Sequence, residues 1–247
     1  MRIGLLDLEV APNIAVTWGI HDQTLRYSDL ISEWFIISMQ YQLLEDKKVS
    51  YISVLNDKKR FKKNYRDDYA VVKRAYDFLQ EVDVIVGHNI KNYDLKKLKA
   101  KFLEHKLPPI EMPFVVDTLV WARKYGFTSR KLGDLCKKLE LTQKLSHEPG
   151  DFILAAQGNV DAIKRIVKYG IGDIPTLKDL YLILRPYENH PNQNAFKNYP
   201  CCVKCGSARI HKRGTNKTGE FITWACYDCR ARFVDKNSKK LHKIRFK

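Results

Sequence analysis

Four acidic residues have the chemistry and the local sequence context to hold divalent cations. Asp7 and Glu9 stand two residues apart in LLDLEV, an apolar segment that predicts a strand. Because side chains alternate along a strand, both carboxylates point to one face, where a cation would offset their repulsion. Asp94 follows the apolar segment VDVIVGHN, and Asp173 follows Tyr169 by one helical turn. Since Mg²⁺ and Mn²⁺ prefer carboxylate oxygens, these acids predict a two-ion site for phosphodiester hydrolysis.

A second group of candidate ligands lies in the last fifth of the chain, which holds five of the six cysteines. Cys202 with Cys205 and Cys226 with Cys229 both have the CxxC spacing, and 20 residues separate the two pairs. Paired cysteines in a reducing compartment more often bind metal than form disulfides. The pairs therefore predict one structural Zn²⁺ held by four thiolates. Cys201 could replace Cys202, but the pair spacing favours Cys202.

Apolar periodicity predicts the elements that must position these residues. Short β-branched and aromatic segments predict strands at residues 2–8, 15–20, 34–42, 49–55, 82–86 and 114–116, beginning as an antiparallel meander. Helices are predicted at 69–79, 94–105, 131–139 and 161–184, with Pro175 starting or kinking the last. The polar, basic segment 56–66 is predicted to be a loop. Strands that come first and then alternate with helices predict an α/β fold, a mixed sheet with helices packed on it.

The charge of the chain predicts a polyanionic partner. The formal net charge is +16 and the isoelectric point is about 9.5. Residues 200–247 contain 13 Lys and Arg against 3 Asp and Glu, so one fifth of the chain carries most of the excess. For the chain as a whole, the alternative is a basic surface that only keeps the protein soluble. For the cysteine segment, nucleic acid is the favoured partner, and a protein-docking module with a solvated basic face is the alternative. Lys91 near the acidic motifs and Lys212 and Arg213 between the cysteine pairs are candidate substrate contacts.

Three motifs together resemble those of the DnaQ-like 3′–5′ exonucleases of the RNase H-like superfamily, in the DEDD branch that carries Tyr in its last motif. These motifs are LLDLE, GHNIKNYDLKKL and YGIGD, and they occur in the family's order. The resemblance extends over residues 1–184 and includes the proofreading domains of family B polymerases. It implies an RNase H-like mixed sheet flanked by helices, and cleavage that uses two Mg²⁺ or Mn²⁺ ions.

The same resemblance implies a role for each candidate residue. Asp7 would bind both ions, Glu9 and Asp173 the ion that activates water, and Asp94 the second ion. Tyr169 would orient the attacking water. His88 and Asn89 would contact the substrate, or would only form a turn at the end of the preceding strand. The chain departs from many relatives at Val10, where they have Thr, which leaves details of substrate contact open.

The cysteine segment resembles the zinc ribbons of transposases and other DNA-associated proteins. The predicted organisation is an exonuclease domain at 1–186, a Pro- and Asn-rich linker at 187–199, and a zinc ribbon with a basic tail at 200–247. The basic side chains of the tail that could bind phosphate are Lys236, Lys239, Lys240, Lys243, Arg245 and Lys247.

The predicted function is 3′–5′ exonuclease activity on nucleic acid, with DNA favoured and RNA as the alternative. Two other functions stay open: a binding protein that acts through its zinc ribbon without catalysis, and a structure-specific endonuclease or RNase on the same scaffold. A polymerase or another replication or repair protein is the expected kind of protein partner. The sequence has neither a signal peptide nor an apolar run long enough for a membrane span, which predicts a cytoplasmic protein with no membrane contact.

Overall fold

The chain divides into two compact units. A computed structural model describes residues 1–19, 21, 24–142, 150–193 and 199–234. The larger unit is Arg2–Leu180, and the smaller unit joins Met1 to Tyr181–Lys247. None of the described helices is long and apolar enough to cross a membrane.

The larger unit is built on a five-stranded mixed sheet, which confirms the predicted fold class. The described strands of the larger unit are β1 (Ile3–Val10), β2 (Ile14–Ala15), β3 (Leu30–Ser32), β4 (Ile36–Leu43), β5 (Ser50–Ser53), β6 (Val84–Gly87) and β7 (Phe114–Asp117). The order in the sheet is β5-β4-β1-β6-β7, and β2 pairs with β3 in a separate hairpin. β4 is antiparallel to β1 and β5, whereas β6 is parallel to β1 and β7.

Seven α-helices lie in the part of the chain that the structure describes: the first three fall between strands of this sheet, and the other four follow its last strand. They are α1 (Lys58–Lys63), α2 (Tyr69–Glu81), α3 (Asp94–Glu104), α4 (Thr118–Ala122), α5 (Leu132–Lys138), α6 (Gly150–Ala156) and α7 (Val160–Leu184). On one face of β1, a Cβ atom on Gly4 would come within 2.8 Å of the Phe78 ring on α2. On the other face, a Cβ atom on Gly170 of α7 would come within 2.6 Å of Gln40 on β4. The sheet therefore lies between α2 and α7, with an apolar core packed beneath α2.

Several predicted elements differ from the observed ones. Residues 58–63 form α1 and not a loop, because Asp57 caps the helix by accepting a hydrogen bond from the Arg60 amide and lysine is a good helix former. The strand predicted at 15–20 is reduced to β2. The strand predicted at 49–55 ends at Ser53, where Val54–Asn56 turn into a 3₁₀ helix. Pro175 lies inside the continuous helix α7 and does not start it. The short helix α6 was not predicted.

The smaller unit contains a three-stranded antiparallel sheet. Its strands are β8 (Ile210–Thr215), β9 (Ile222–Cys226) and β10 (Arg232–Val234), in the order β10-β9-β8. The apolar cluster around the cysteines consists of Cys202, Cys226 and Ala231, with Ile210 and Phe233 packed against them. With so few apolar residues, such a unit needs a further source of stability, for which a bound metal is a common solution. The lysines and arginine of the predicted basic tail lie outside the described residues.

The first part of the predicted linker makes specific contacts within the smaller unit. The hydroxyl of Tyr181 lies 2.6 Å from Nε2 of His190, and burial lowers the pKa of this imidazole to about 4. The amide of Gln193 donates to the carbonyl of Val203 at 3.0 Å. A segment held by such bonds does not behave as a free coil, even though its composition is typical of linkers. The domain boundaries given by the sequence remain predictions.

Candidate metal-binding sites

Three of the four predicted acidic ligands meet at the end of β1. Asp7, Glu9 and Asp173 each offer one carboxylate oxygen, and these three oxygens lie within 4.8 Å of one another. Glu9 is 6% exposed and Asp173 is 4% exposed, whereas Asp7 is half-buried. Carboxylates this close and this buried repel one another unless a cation or protons neutralise them. The donor set is the one that a hard divalent cation such as Mg²⁺ requires.

The strand register and one glycine explain why these acids meet. Asp7 pairs with Gln40 and Glu9 pairs with Ser38 across β1 and β4, so all four side chains share one face of the sheet. Gln40 is fully buried and its amide nitrogen donates to the Ser38 hydroxyl at 2.9 Å. Gly170 lets α7 approach this buried polar pair closely, because any larger residue would overlap Gln40. The neighbouring turns of α7 then bring Asp173 to the two acids of β1.

The fourth predicted ligand, Asp94, reaches the same place from α3. Its Oδ1 accepts a hydrogen bond of 3.1 Å from the amide of Leu8, the residue between Asp7 and Glu9. Burial, and after it the charge of Asp7, raise the pKa of the Asp94 carboxyl well above its usual range. Asp94 does not belong to the group of three whose oxygens lie within 4.8 Å. It stands beside that group, where a bound cation would favour its ionised form.

A cleft of about 270 Å³ joins all five predicted catalytic residues. Tyr169 is 8% exposed and precedes Asp173 by one turn of α7. Four lining residues were not predicted as site residues; two of them, Tyr93 and Phe152, are aromatic. Tyr93 is the aromatic residue that precedes Asp94 in the second motif, so the sequence contained a signal for it; Phe152 had none. The lining consists of Asp7, Leu8, Glu9, Val10, His88, Asn89, Tyr93, Asp94, Phe152, Tyr169 and Asp173.

His88 and Asn89 line the cleft, but both also hold the turn after β6. The His88 ring nitrogens lie 2.9 Å from the Thr118 hydroxyl and 3.0 Å from the carbonyl of Arg130. Asn89 has a φ of 66°, in the left-handed region that asparagine tolerates better than most residues. For His88 this geometry favours the turn over a substrate contact, because both nitrogens already have partners. Lys91 is exposed at the end of the same turn.

Asp117 is the N-cap of α4. Its carboxylate accepts hydrogen bonds from the amides of Leu119 and Val120. It also accepts from the amides of Asn89 and Lys91, at 2.9 and 3.1 Å. One side chain, 2% exposed, thus ties the turn beside the cleft to the end of β7. Asp151, whose role the sequence left open, forms an ion pair with Arg165 at 2.6 Å.

Replacing Asp117 with alanine should destabilise the larger unit by about 2–4 kcal/mol, from the lost cap and the unsatisfied amides. Asp117→Asn keeps one acceptor oxygen, so it should lower the free energy of unfolding by less. Asp134→Ala, an exposed aspartate bonded to the Ser129 hydroxyl, provides the control for charge removal. Urea unfolding of the three variants measures the difference. The same midpoint for Asp117→Ala and Asp134→Ala would contradict the assigned role.

The four predicted zinc ligands also meet, in the smaller unit. The Sγ atoms of Cys202 and Cys229 are 3.6 Å apart, and so are those of Cys205 and Cys226. All four lie within 4.8 Å of one another. With Zn–S bonds of about 2.3 Å, a regular tetrahedron has sulfur atoms about 3.8 Å apart, so the thiols fit a structural zinc ion. Burial raises the pKa of Cys229 to about 11, and a metal would reverse this by binding the thiolate.

The remaining predicted contacts lie on β8 of the smaller unit. Lys212 and Arg213 are both exposed. Lys212 pairs with Trp224, but the register then shifts, so that Arg213 is the extra residue of a β-bulge before Gly214. Cys201 is buried beside the four ligands and is not one of the set, as the CxxC spacing indicates. Cys136 in the larger unit is fully buried, as its place in an apolar helical pattern predicts.

Comparison with known proteins gives one family and one fold. Residues 43–185 match the family model RNase_H_2, described as RNase_H superfamily. That match begins after β1, so it includes Asp94, Tyr169 and Asp173 but neither Asp7 nor Glu9. No curated protein matches the sequence. Among solved structures, the family B DNA polymerase from the hyperthermophilic archaeon Pyrobaculum calidifontis is similar, with a TM-score of 0.51 and 14% identity. The alignment covers 75% of this chain and 25% of the polymerase, so this chain matches only a quarter of its length.

Proposed function

The chain belongs to the RNase H superfamily, and we propose that it is a metal-dependent nuclease that removes nucleotides from the 3′ end of nucleic acid, with DNA as the favoured substrate. The carboxylate cluster in the cleft is the observation that carries this proposal. Asp7 and Glu9 of β1 and Asp173 of α7 approach one another although Asp173 follows Glu9 by more than 160 residues in sequence. A purely structural cluster of like charges would destabilise the fold, so the arrangement is best explained by cation binding.

The proposed activity belongs to the DEDD class with tyrosine in the last motif. Asp7, Glu9, Asp94 and Asp173 would hold the metal. Two Mg²⁺ or Mn²⁺ ions, when bound, would stabilise the attacking and leaving oxygens of phosphodiester hydrolysis. The phenol of Tyr169 would orient the attacking water by a hydrogen bond, without being a ligand. Asn89, on the rim of the cleft, would contact the nucleotide at the 3′ end, and exposed Lys91 a phosphate.

The smaller unit is proposed to bind nucleic acid as a zinc ribbon. Cys202, Cys205, Cys226 and Cys229 would hold one Zn²⁺, whose bonds would supply the stability that the small core lacks. Exposed basic side chains on β8, Lys212 and Arg213, would contact phosphates. We propose 1–186, 187–199 and 200–247 as nuclease domain, linker and ribbon. Because a polymerase shares the fold of this chain, a polymerase or another replication or repair protein is the proposed kind of protein partner.

Digestion of end-labelled oligonucleotides tests the activity. A single-stranded DNA labelled at its 5′ end should shorten one nucleotide at a time when Mg²⁺ or Mn²⁺ is added. The same DNA labelled at its 3′ end should release labelled mononucleotide as the first product. Internal fragments as first products would instead indicate an endonuclease. Binding without cleavage in either metal would indicate a non-catalytic nucleic-acid-binding protein. Matched RNA and duplex substrates establish the substrate preference.

Tyr169→Phe should slow cleavage by about 10- to 1000-fold, the range for a single positioned catalytic group. The substitution removes only the hydroxyl, so the packing of α7 and the concentration of Mg²⁺ that gives half-maximal rate should barely change. Tyr187→Phe makes the same chemical change at a residue that is 77% exposed and outside the cleft, and should leave the rate unchanged. Single-turnover rates measure both. An unchanged rate for Tyr169→Phe would reduce Tyr169 to a packing residue.

A further inference from the structure

A second groove of the larger unit lies on the other side of α7 from the cleft. Its volume is about 480 Å³, and its walls are the edge strand β5 with the turn after it, and α7. The residues that matter here are Tyr51 and Leu55 from the first wall and Lys164, Val167, Lys168 and Ile171 from α7. We name this feature the β5–α7 groove. We propose that it binds a single-stranded segment of nucleic acid that lies outside the catalytic cleft. This inference rests on the proposed function.

Helical geometry separates the β5–α7 groove from the cleft while joining both to the same helix. Lys164, Lys168 and Ile171 are spaced by four and three residues, which places them on one face of α7. Tyr169 and Asp173 belong to another face and line the cleft. Between the two faces, Gly170 rests on the fully buried Gln40 of β4. Nucleic acid in the groove therefore contacts the helix that positions the catalytic residues without occupying the cleft.

The charges on the groove wall favour a polyanion. Lys168 is exposed and forms no ion pair with any residue that the structure describes. Lys164 lies 3.0 Å from Asp161, but both side chains are mostly exposed, so this pair contributes little and is readily exchanged for a phosphate. The turn that follows β5 and lines the groove leads directly into α1. Four lysines of α1 are exposed: Lys58, Lys59, Lys62 and Lys63. This is the polar, basic segment of the sequence analysis, and none of its residues lines the cleft.

The apolar part of the groove favours a single strand over a duplex. The ring of Tyr51 is 48% exposed at the sheet edge, and Leu55 and Ile171 are half-buried beside it. Bases stack on such aromatic surfaces only when they are unpaired. Lys164 and Ile171 are seven residues apart, a rise of about 10 Å along the helix.

Binding of a fluorescein-labelled (dT)₃₀ strand to the full chain tests the groove. All proteins carry Asp7→Ala, so that the strand stays intact. Lys164→Ala with Lys168→Ala should raise Kd about 10-fold. It should also reduce the slope of log Kd against the logarithm of the salt concentration by about 1.4, because two phosphate contacts on a single strand are lost. The control, Lys96→Ala with Lys99→Ala, removes the same charge from exposed positions on α3. If the two double variants have equal affinities and salt dependences, the groove does not bind nucleic acid.

Cleavage by the same double variants with Asp7 intact separates this inference from the proposed function. With Lys164→Ala and Lys168→Ala, the ratio of kcat/KM for (dT)₃₀ to kcat/KM for (dT)₃ should fall by about 10-fold, because only the longer strand reaches beyond the cleft. The Lys96 and Lys99 control should keep the ratio of the unsubstituted protein. If the unsubstituted protein cleaves neither substrate, the proposed function fails, and the binding experiment still decides the groove.

Discussion

Replacing Asp7 with alanine is expected to lower the rate of cleavage by at least about 10³-fold, which corresponds to ~4 kcal/mol of transition-state stabilisation. Asp7 has this large effect because it belongs to both parts of the site. One of its oxygens lies within 4.8 Å of those of Glu9 and Asp173. Its charge also raises the pKa of Asp94. Removing it therefore takes a ligand from the carboxylate cluster and changes the acid beside it.

The same substitution should not unfold the protein. Asp7 is half-buried among like charges, so its removal relieves repulsion, and without added divalent cation the melting temperature should stay equal or rise. Asp77→Ala, which removes an acid from the surface ion pair with Lys73, is the control and should cleave normally. Single-turnover cleavage together with thermal melting measures both properties. A folded Asp7→Ala protein that cleaves at the normal rate would falsify the assignment of the site.

Local patterns were enough to predict the elements that carry the acids. The alternation in LLDLEV gave β1 with Asp7 and Glu9 on one face, and the helical spacing around Tyr169 gave α7. Whether these elements meet is not a local property. It depends on the contact of Gly170 with Gln40, two residues 130 positions apart in sequence that have no motif in common. The convergence of the acids came instead from the resemblance to a family, which contains this long-range information.

The errors of the sequence interpretation have two physical origins. The polarity of the segment around α1 predicts a loop, yet its lysines are good helix formers and Asp57 caps it. Polarity predicts exposure, and α1 is indeed exposed, but exposure does not exclude a helix. Asp117 caps α4, a role that aspartate commonly has at the start of a helix. Its two further bonds to the turn at Asn89 and Lys91 were missed, because parallel pairing of β6 and β7 creates them.

The zinc site provides the other prediction with a large effect. Cys226→Ser should lower the zinc content from about one ion per chain to near zero after dialysis against a weak chelator, because a serine hydroxyl is a poor replacement for a thiolate. Cys201→Ser is the matched control. It substitutes a cysteine in the same segment that is buried but does not belong to the group of four. Elemental analysis should still find about one zinc in that variant.

The structural consequences of losing zinc should differ between the two units. The core around the cysteines is so small that structural zinc, whose apparent binding free energy in zinc-finger peptides is about 10–16 kcal/mol, would dominate the folding of the ribbon. Limited proteolysis of Cys226→Ser should therefore cut between residues 200 and 234, whereas the larger unit, which has its own apolar core, should resist. Full zinc content in Cys226→Ser would contradict this ligand set. Loss of zinc in Cys201→Ser, with retention in Cys202→Ser, would show that Cys201 is the ligand.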